Sequence, residues 1–362
     1  MFEVEELLQP ISEESPCGED LRLDASVESV YYKLRDCRNS ARKEERQALV
    51  DPDNFDDIAE GWVELSELAV EALKTKTKDL EVAAWLIEAL TRIQGFEGLI
   101  KGYQLAAELI KRYWEEGLYP VEDEDGLTTR VSPISGLNGY DGNGSLIMPI
   151  KSVAVTNTTH EDNYVIWQYE QALQIERIDD PEKRQKRLDS GAVTLNDITK
   201  SVSATNGQFY QQLDAEVKQS QEVYREFVEA LDAVTEELPQ PTSNIKNALE
   251  ECQEAITYLA KDKLAEMVEV SDDESEEAEG ETAKAPAANQ AVQDRQQALN
   301  KLEEIAMFFR RTEPHSPISY MLNQTVKWSQ LSLPELLQQL IPDHDARENY
   351  FKLSGIPVES ED

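Results

Sequence analysis

The sequence predicts an all-α, multi-domain fold with a small C-terminal helical oligomerisation domain. Three observations carry this. Apolar residues recur at three- and four-residue steps through most of the chain. Strand-like alternation is scarce. A stretch rich in acids and poor in apolar residues separates a long N-terminal part from a short block of different charge. At 362 residues the chain is also longer than one small core requires.

The helical stripes follow in order. Val30, Leu34 and Cys37 share an apolar face, so Cys37 reads as a small core residue. Ile58, Trp62, Leu65, Ala69, Ala72 and Leu73 form the next stripe. Leu80, Ala83, Leu86, Leu90 and Ile93 form another, widened by Trp85 and Ala89. Phe96, Leu99, Ile100, Tyr103, Ala107, Ile110 and Trp114 continue it. Only 146–155, with Ile147, Ile150, Val153 and Val155, reads as extended. It follows a Gly-rich loop at 136–144. A second helical block covers about 163–263. Phe209, Leu213, Val217, Tyr224, Phe227, Leu231 and Val234 mark a long helix that ends before Pro239 and Pro241. Ser243 is expected to cap a further helix through Ile245, Leu249, Cys252, Ile256 and Leu259. The expected domains are 1–150, 151–265, an acidic disordered linker at 266–292, and 293–362.

Charge narrows the function. There are 35 bases and 73 acids, a net charge of −38. Such a surface repels phosphate backbones and anionic lipid, so nucleic-acid binding is not expected. No apolar run approaches 18 residues, and no Lys or Arg precedes Arg22, so neither membrane insertion nor a signal peptide is expected. A cytoplasmic protein is the expectation. Residues 271–281 hold seven acids and no base, and 282–289 are small and broken by Pro286. Without those seven acids the charge is still −31. The block at 292–353 holds seven bases and eight acids, a charge of −1. It can approach copies of itself at small Coulomb cost, and the rest of the chain cannot.

Residues for chemistry are few. The chain has His160, His315 and His344, and Cys17, Cys37 and Cys252, with no CxxC and no HxxxH. Gly136, Gly139, Gly142 and Gly144 do not have the spacing of a phosphate loop. Asp123, Glu124 and Asp125 precede Gly126, but no Glu closes a calcium-loop frame, so a solvated acidic loop is expected. No catalytic, cofactor-binding or metal residue is assigned, and the protein is expected not to be an enzyme.

The C-terminal block is more informative. Leu299, Leu302, Ala306 and Phe309 make one seam, while Ile305 and Phe308 face elsewhere. A block of about sixty residues has little interior for two apolar faces. One face is therefore expected to pack within the block and the other against a neighbouring copy. Pro314 stops the helix. Ser316 caps the next one, with Pro317 in its first position. Ile318, Met321, Leu322, Thr325 and Val326 form its face, closed by Trp328. A capping box at 332–335 opens a third short helix. Arg310, Arg311 and Glu313 stand at the corner, placed for a charge-assisted pair.

These residues resemble the TssA (ImpA-related) family of the bacterial type VI secretion system. The C-terminal run Phe308-Phe309-Arg310-Arg311-Thr312-Glu313-Pro314-His315-Ser316-Pro317-Ile318, followed by Leu322, Trp328 and Leu333-Pro334-Glu335, is similar to the family's Arg-x-x-Glu-Pro-x-Ser-Pro block in its short form. The other end separately resembles the ImpA N-terminal domain. It matches through Pro10-Ile11, Pro16, Gly18, Asp20-Leu21-Arg22, Lys78-Asp79-Leu80, Trp85-Leu86, Gly95-Phe96, Gly98-Leu99 and Gly102, then Trp114, Pro120 and Arg130. The resemblance covers about 8–150 and 293–356. It implies a non-enzymatic scaffold that organises baseplate assembly and polymerisation of the sheath and inner tube, in the cytoplasm of Gram-negative bacteria. It also implies a cyclic homo-oligomer, often six-fold, with N-terminal arms projecting outward. Its partners would be other baseplate, sheath and tube proteins. Arg310, Arg311, Glu313, Pro314, Ser316 and Pro317 would be structural and interface residues. With Ile305, Phe308, Phe309 and Leu322 they form the expected oligomer interface. Charge alone leaves a second reading open: an acidic homo-oligomeric adaptor or chaperone for basic proteins.

Overall fold

The computed structural model describes residues 2–48, 60–140, 142–159, 161–236, 238–261 and 263, and near the C-terminus 302, 306, 310, 318–328 and 336. The described residues are helical, with isolated β-bridges and no named strand. In order, the helices are α1 (Val4–Leu7), α2 (Val30–Ala48), α3 (Glu60–Thr75), α4 (Leu80–Tyr113), α5 (Leu127–Asn138) and α6 (Ile147–Lys151). They continue with α7 (Ile166–Glu176), α8 (Pro181–Asp189), α9 (Leu195–Ala204), α10 (Gly207–Val234), α11 (Ser243–Leu259) and α12 (Ile318–Trp328). A 3₁₀ turn spans Leu21–Leu23.

Helix α4 is the centre, and it is not straight. Gly95 sits at φ 60° and ψ −133°, a conformation that only glycine adopts readily. Beyond it the chain folds back. A Cβ on Gly98 would lie 2.1 Å from the Leu90 carbonyl oxygen, and one on Gly102 would lie 2.7 Å from Ile87 Cγ1. Eight residues of straight helix span about 12 Å and fifteen about 22 Å, so these approaches require two antiparallel arms, 80–94 and 96–113. Gly98 and Gly102, four apart, lie on one face and let the arms meet at backbone distance. The apolar stripes beginning at Leu80 and at Phe96 are these two arms. Both bury residues nearly all round, from Leu80, Val82 and Leu86 to Leu105, Leu109 and Ile110. That is the pattern of an interior helix.

The other helices cover this hairpin. Helix α10 lies along it, with Tyr103 packed on Tyr224 and Phe227 at ring distances of 5.0 and 4.9 Å. Helix α3 packs on α4, and α2 on α3, burying Trp62, Leu65, Leu34 and Ala41. One continuous core runs from Leu7 to Ala260 and crosses residue 150 without a break. Tyr210 of α10 donates to the Val155 carbonyl at 2.9 Å.

Two local expectations are corrected. Residues 146–155 are not a strand: Ile147–Lys151 is helical, and only Ala154 forms a bridge, to Val165. Ile147 and Ile150 are three apart and both buried, so the apolar pair has helical spacing. Ser243 is the first helical residue of α11 rather than its cap, and Thr242 at the cap position makes no side-chain bond. The cap comes from α5, where Asn138 Oδ1 accepts the Ile245 N–H at 3.0 Å.

The chain divides into two compact units, 1–278 and 279–362. In the second, Val326 is buried and Leu322 and Trp328 are half-buried, while Met321 and Thr325 are exposed. The inward face of α12 therefore excludes Met321 and Thr325, contrary to the periodicity reading. Ala306 is buried and Leu302 half-buried, as one seam requires. The linker at 266–292 lies outside the described residues.

Gly98→Ala should destabilise the full chain by about 3 kcal/mol, because the new methyl meets backbone that cannot yield. Gly136→Ala, in open space on α5, should be neutral or stabilising by about 0.5–1 kcal/mol. Urea denaturation of the two variants decides it, and equal midpoints would refute the hairpin.

Candidate functional site

The N-terminal motif residues converge on the start of α4. Three segments meet there: 15–23, 76–79 and 114–120. They are laced by backbone bonds, Lys78 N to Cys17 O at 2.8 Å, Glu19 N to Lys76 O at 3.0 Å, Leu80 N to Tyr119 O at 2.7 Å and Tyr119 N to Lys78 O at 3.0 Å. Gly18 has φ 73°, and a Cβ there would lie 2.0 Å from Lys76 O, so no other residue fits. Pro16 is half-buried beside it.

Asp79 is fully buried and caps α4, accepting from Glu81 N at 2.7 Å and Val82 N at 3.3 Å. Arg22 grips it as a fork, Nη1 to Oδ2 at 2.8 Å and Nη2 to Oδ1 at 3.1 Å. The same guanidinium donates to Asp20 Oδ1 at 2.9 Å and Glu81 Oε2 at 2.8 Å. Burial opposes the Arg22 charge. Its bonds to Asp79 and the charges of Asp79 and Glu81 outweigh that, and its pKa lies above the ordinary value. Leu21 is buried next to it. Arg22 also lies 5.3 Å from the Tyr31 ring centre, and Tyr31 lies 5.5 Å from Trp85.

Lys78 is fully buried. Its Nζ donates to Leu7 O at 2.6 Å and Leu73 O at 2.7 Å. Burial pulls its pKa down to about 8, offset slightly by Cys17. Burial and Glu116 push the Cys17 thiol up to about 11, so it is a poor nucleophile at neutral pH. Arg130 closes the far side. Its guanidinium lies 3.7 Å over the Trp114 ring and donates to the Trp114 carbonyl.

The structure thus brings Pro16, Gly18, Asp20, Leu21, Arg22, Asp79, Trp85, Trp114 and Arg130 to one end of the unit. Gly95 and Gly98 serve the hairpin instead. Sequence reading missed Glu81 as a partner of Arg22, and the buried role of Lys78. An Asp followed two residues later by Glu at a helix start was the available signal. In the C-terminal unit Arg310 is exposed and Leu322 half-buried. Ile305, Phe308, Phe309, Arg311, Glu313, Pro314, Ser316 and Pro317 lie outside the described residues, as do the three histidines. Chemically, the junction spends most of its donors and acceptors on one another and on backbone, while Thr77 Oγ1 and Arg130 Nε are buried without a hydrogen-bond partner. Among the described residues no group of three His, Cys, Asp or Glu could hold a metal ion.

Residues 8–139 match the domain family described as ImpA, N-terminal, type VI secretion system, a span that contains every motif residue of the junction. The chain is also 24% identical over 350 residues to the type VI secretion system component TssA1 of Pseudomonas aeruginosa PAO1. That alignment covers 95% of this chain and 96% of the relative. Residues 8–139 carry an ImpA N-terminal region, and the whole chain is similar to a TssA component. Its fold is shared with a solved TssA N-terminal domain from Burkholderia cenocepacia that includes the conserved ImpA region. The TM-score is 0.60 at 24% identity, covering 72% of this chain and 95% of that one. In this chain the residues of the ImpA-like region form a folding junction. No helix among the described residues is long and apolar enough to cross a membrane.

Arg22→Ala should leave Asp79 buried without its counter-charge and cost on the order of 3 kcal/mol. Arg22→Lys should recover only part of this, since it loses the fork. Thermal melts of both variants check the order.

Lys78 gives a pH signature. Its folded pKa is about 8 against 10.5 ordinarily. Between those values the unfolded chain holds a proton that the folded chain has released. Stability is therefore gained as pH rises through the window. Relative to Lys78→Met, the wild type should gain about 1 kcal/mol from pH 8 to 9. Parallel urea-midpoint profiles for the two proteins would refute it.

Proposed function

We propose that this chain is a TssA-type, non-enzymatic structural scaffold of the bacterial type VI secretion system. It organises baseplate assembly and the polymerisation of sheath and tube, and it acts in the cytoplasm. Residues 293–362 close copies of the chain into a ring. Residues 1–150 and 151–265 form the arm, and 266–292 the tether between them. Ile305, Phe308, Phe309, Arg310, Arg311, Glu313, Pro314, Ser316, Pro317 and Leu322 form the contact between copies.

The observation that carries this reading is the end-to-end match to TssA1, 95% of this chain against 96% of that protein. Two further observations support it. The motif residues of the arm serve architecture, which suits a scaffold. The block at 292–353 is nearly neutral, and Tyr320 and Met321 on α12 are 62% and 67% exposed in the single chain. The net charge of −38 favours a second reading, an acidic adaptor for basic proteins.

Light scattering on the full-length chain separates the two. A scaffold gives one closed oligomer, six chains or a multiple of six, and Phe308→Asp dissociates it with helicity retained, because an unpaired buried carboxylate is costly. A monomer or dimer, or an oligomer indifferent to Phe308→Asp, leaves the adaptor reading ahead.

A further inference from the structure

Helices α2 and α8 are basic within an acidic chain, and α2 is the longer, with four arginines on one face. Helix α2 carries six bases and three acids inside a protein of net charge −38. Arg35, Arg38, Arg42 and Arg46 recur at steps of three, four and four, so they share one face, while Leu34 and Ala41 are buried in the core. The two carboxylates next to this face already have arginine partners. Buried Glu88 pairs with Arg38, and Glu45 receives Arg92 Nε at 2.8 Å and Nη2 at 3.1 Å. Arg92 in turn lies 4.0 Å over the Trp62 ring. Among the described residues Arg42 and Arg46 make no ion pair, and Arg35 reaches only Asp36, at 3.7 Å. Burial first, then the charges of Arg38, Arg92 and Arg46, pull Arg42 below the ordinary guanidinium value despite Glu88. Like charges at helical spacing repel, so this face gains from an incoming anion.

We propose that the arginine face of α2 is a docking surface for an acidic segment of a partner protein, whose carboxylates pair with Arg35, Arg42 and Arg46. The extent of the face selects the partner class. Arg35 to Arg46 spans about 16 Å along the helix, roughly two Debye lengths at physiological salt. A nucleic acid would run off its ends onto acidic surface, whereas a cluster of three or four carboxylates fits within it. Guanidinium forks match carboxylates two bonds at a time. Leu23, at the end of the 3₁₀ turn, and Val27, on the loop that leads into α2, are 82% and 94% exposed and offer apolar contact on the N-terminal side of the helix. A peptide has side chains to meet them. The proposal holds whatever larger assembly the chain serves.

The test uses the full-length chain and a fluorescein-labelled short oligoglutamate, followed by anisotropy at low and high salt. Most of the surface repels this probe, and the double variant below separates binding at the arginine face from binding at the basic helix α8. The wild type should bind, and high salt should release the probe. The double variant Arg42→Gln, Arg46→Gln should bind at least about tenfold more weakly, with unchanged helicity and melting temperature. Arg225→Gln on α10, whose guanidinium bonds only Glu222 and Glu229, should bind like the wild type. Failure of the wild type to bind oligoglutamate, or equal binding by the double variant, would overturn the proposal. So would tighter binding of the wild type to phosphatidylserine vesicles or to single-stranded RNA than to oligoglutamate.

Discussion

The first unit depends on one close approach, that of the two arms of α4. Everything else in the unit is laid over that hairpin. Its closure rests on three glycines with different duties. Gly95 supplies the reversal, because its backbone angles are open to little else. Gly98 and Gly102 supply absence: any Cβ there would collide with Leu90 or Ile87 on the opposing arm. Helix propensity argues against glycine in these positions. Tertiary packing overrides it, since the gain in interior contact exceeds the loss in local stability.

Charge does its structural work at the open end of the hairpin. Asp79 ends one segment and starts α4, and Arg22 carries a second segment to it. Desolvation makes such a pair a modest net contributor and a costly one to break. The consequence is selectivity of contact: segments 15–23, 76–79 and 114–120 meet there because each satisfies groups that the others leave open. Lys78 extends the same logic to the backbone, as its ammonium is held by two carbonyls at the ends of α1 and α3. A motif of ionisable residues is commonly read as a reaction centre. Here its geometry is that of a keystone.

The surface follows a different rule. Acids dominate it, which keeps copies and polyanions apart beyond a Debye length. Against that background a local excess of arginine on α2 is a specific feature. The near-neutral C-terminal block is another departure from the background. The two lie in separate compact units.

Composition, periodicity and punctuation determined much of this in advance. The all-α class, the arms of α4, and the extents of α10 and α11 within a residue or two were legible, because helices need only local spacing and breakers. The motif residues of both ends were legible as a family resemblance. What they do was not. That Gly98 faces Leu90, that Arg22 reaches across 57 positions to Asp79, and that Asn138 caps a helix more than a hundred residues away are long-range facts with no periodic signature. The strand-like run at 146–155 misled because alternating apolar residues also satisfy a short helix that buries two of them. The arginine face of α2 was present in the sequence as spacing. Only the tertiary structure decided that the nearby carboxylates of Glu88 and Glu45 pair with Arg38 and Arg92, leaving Arg42 and Arg46 without an ion pair among the described residues.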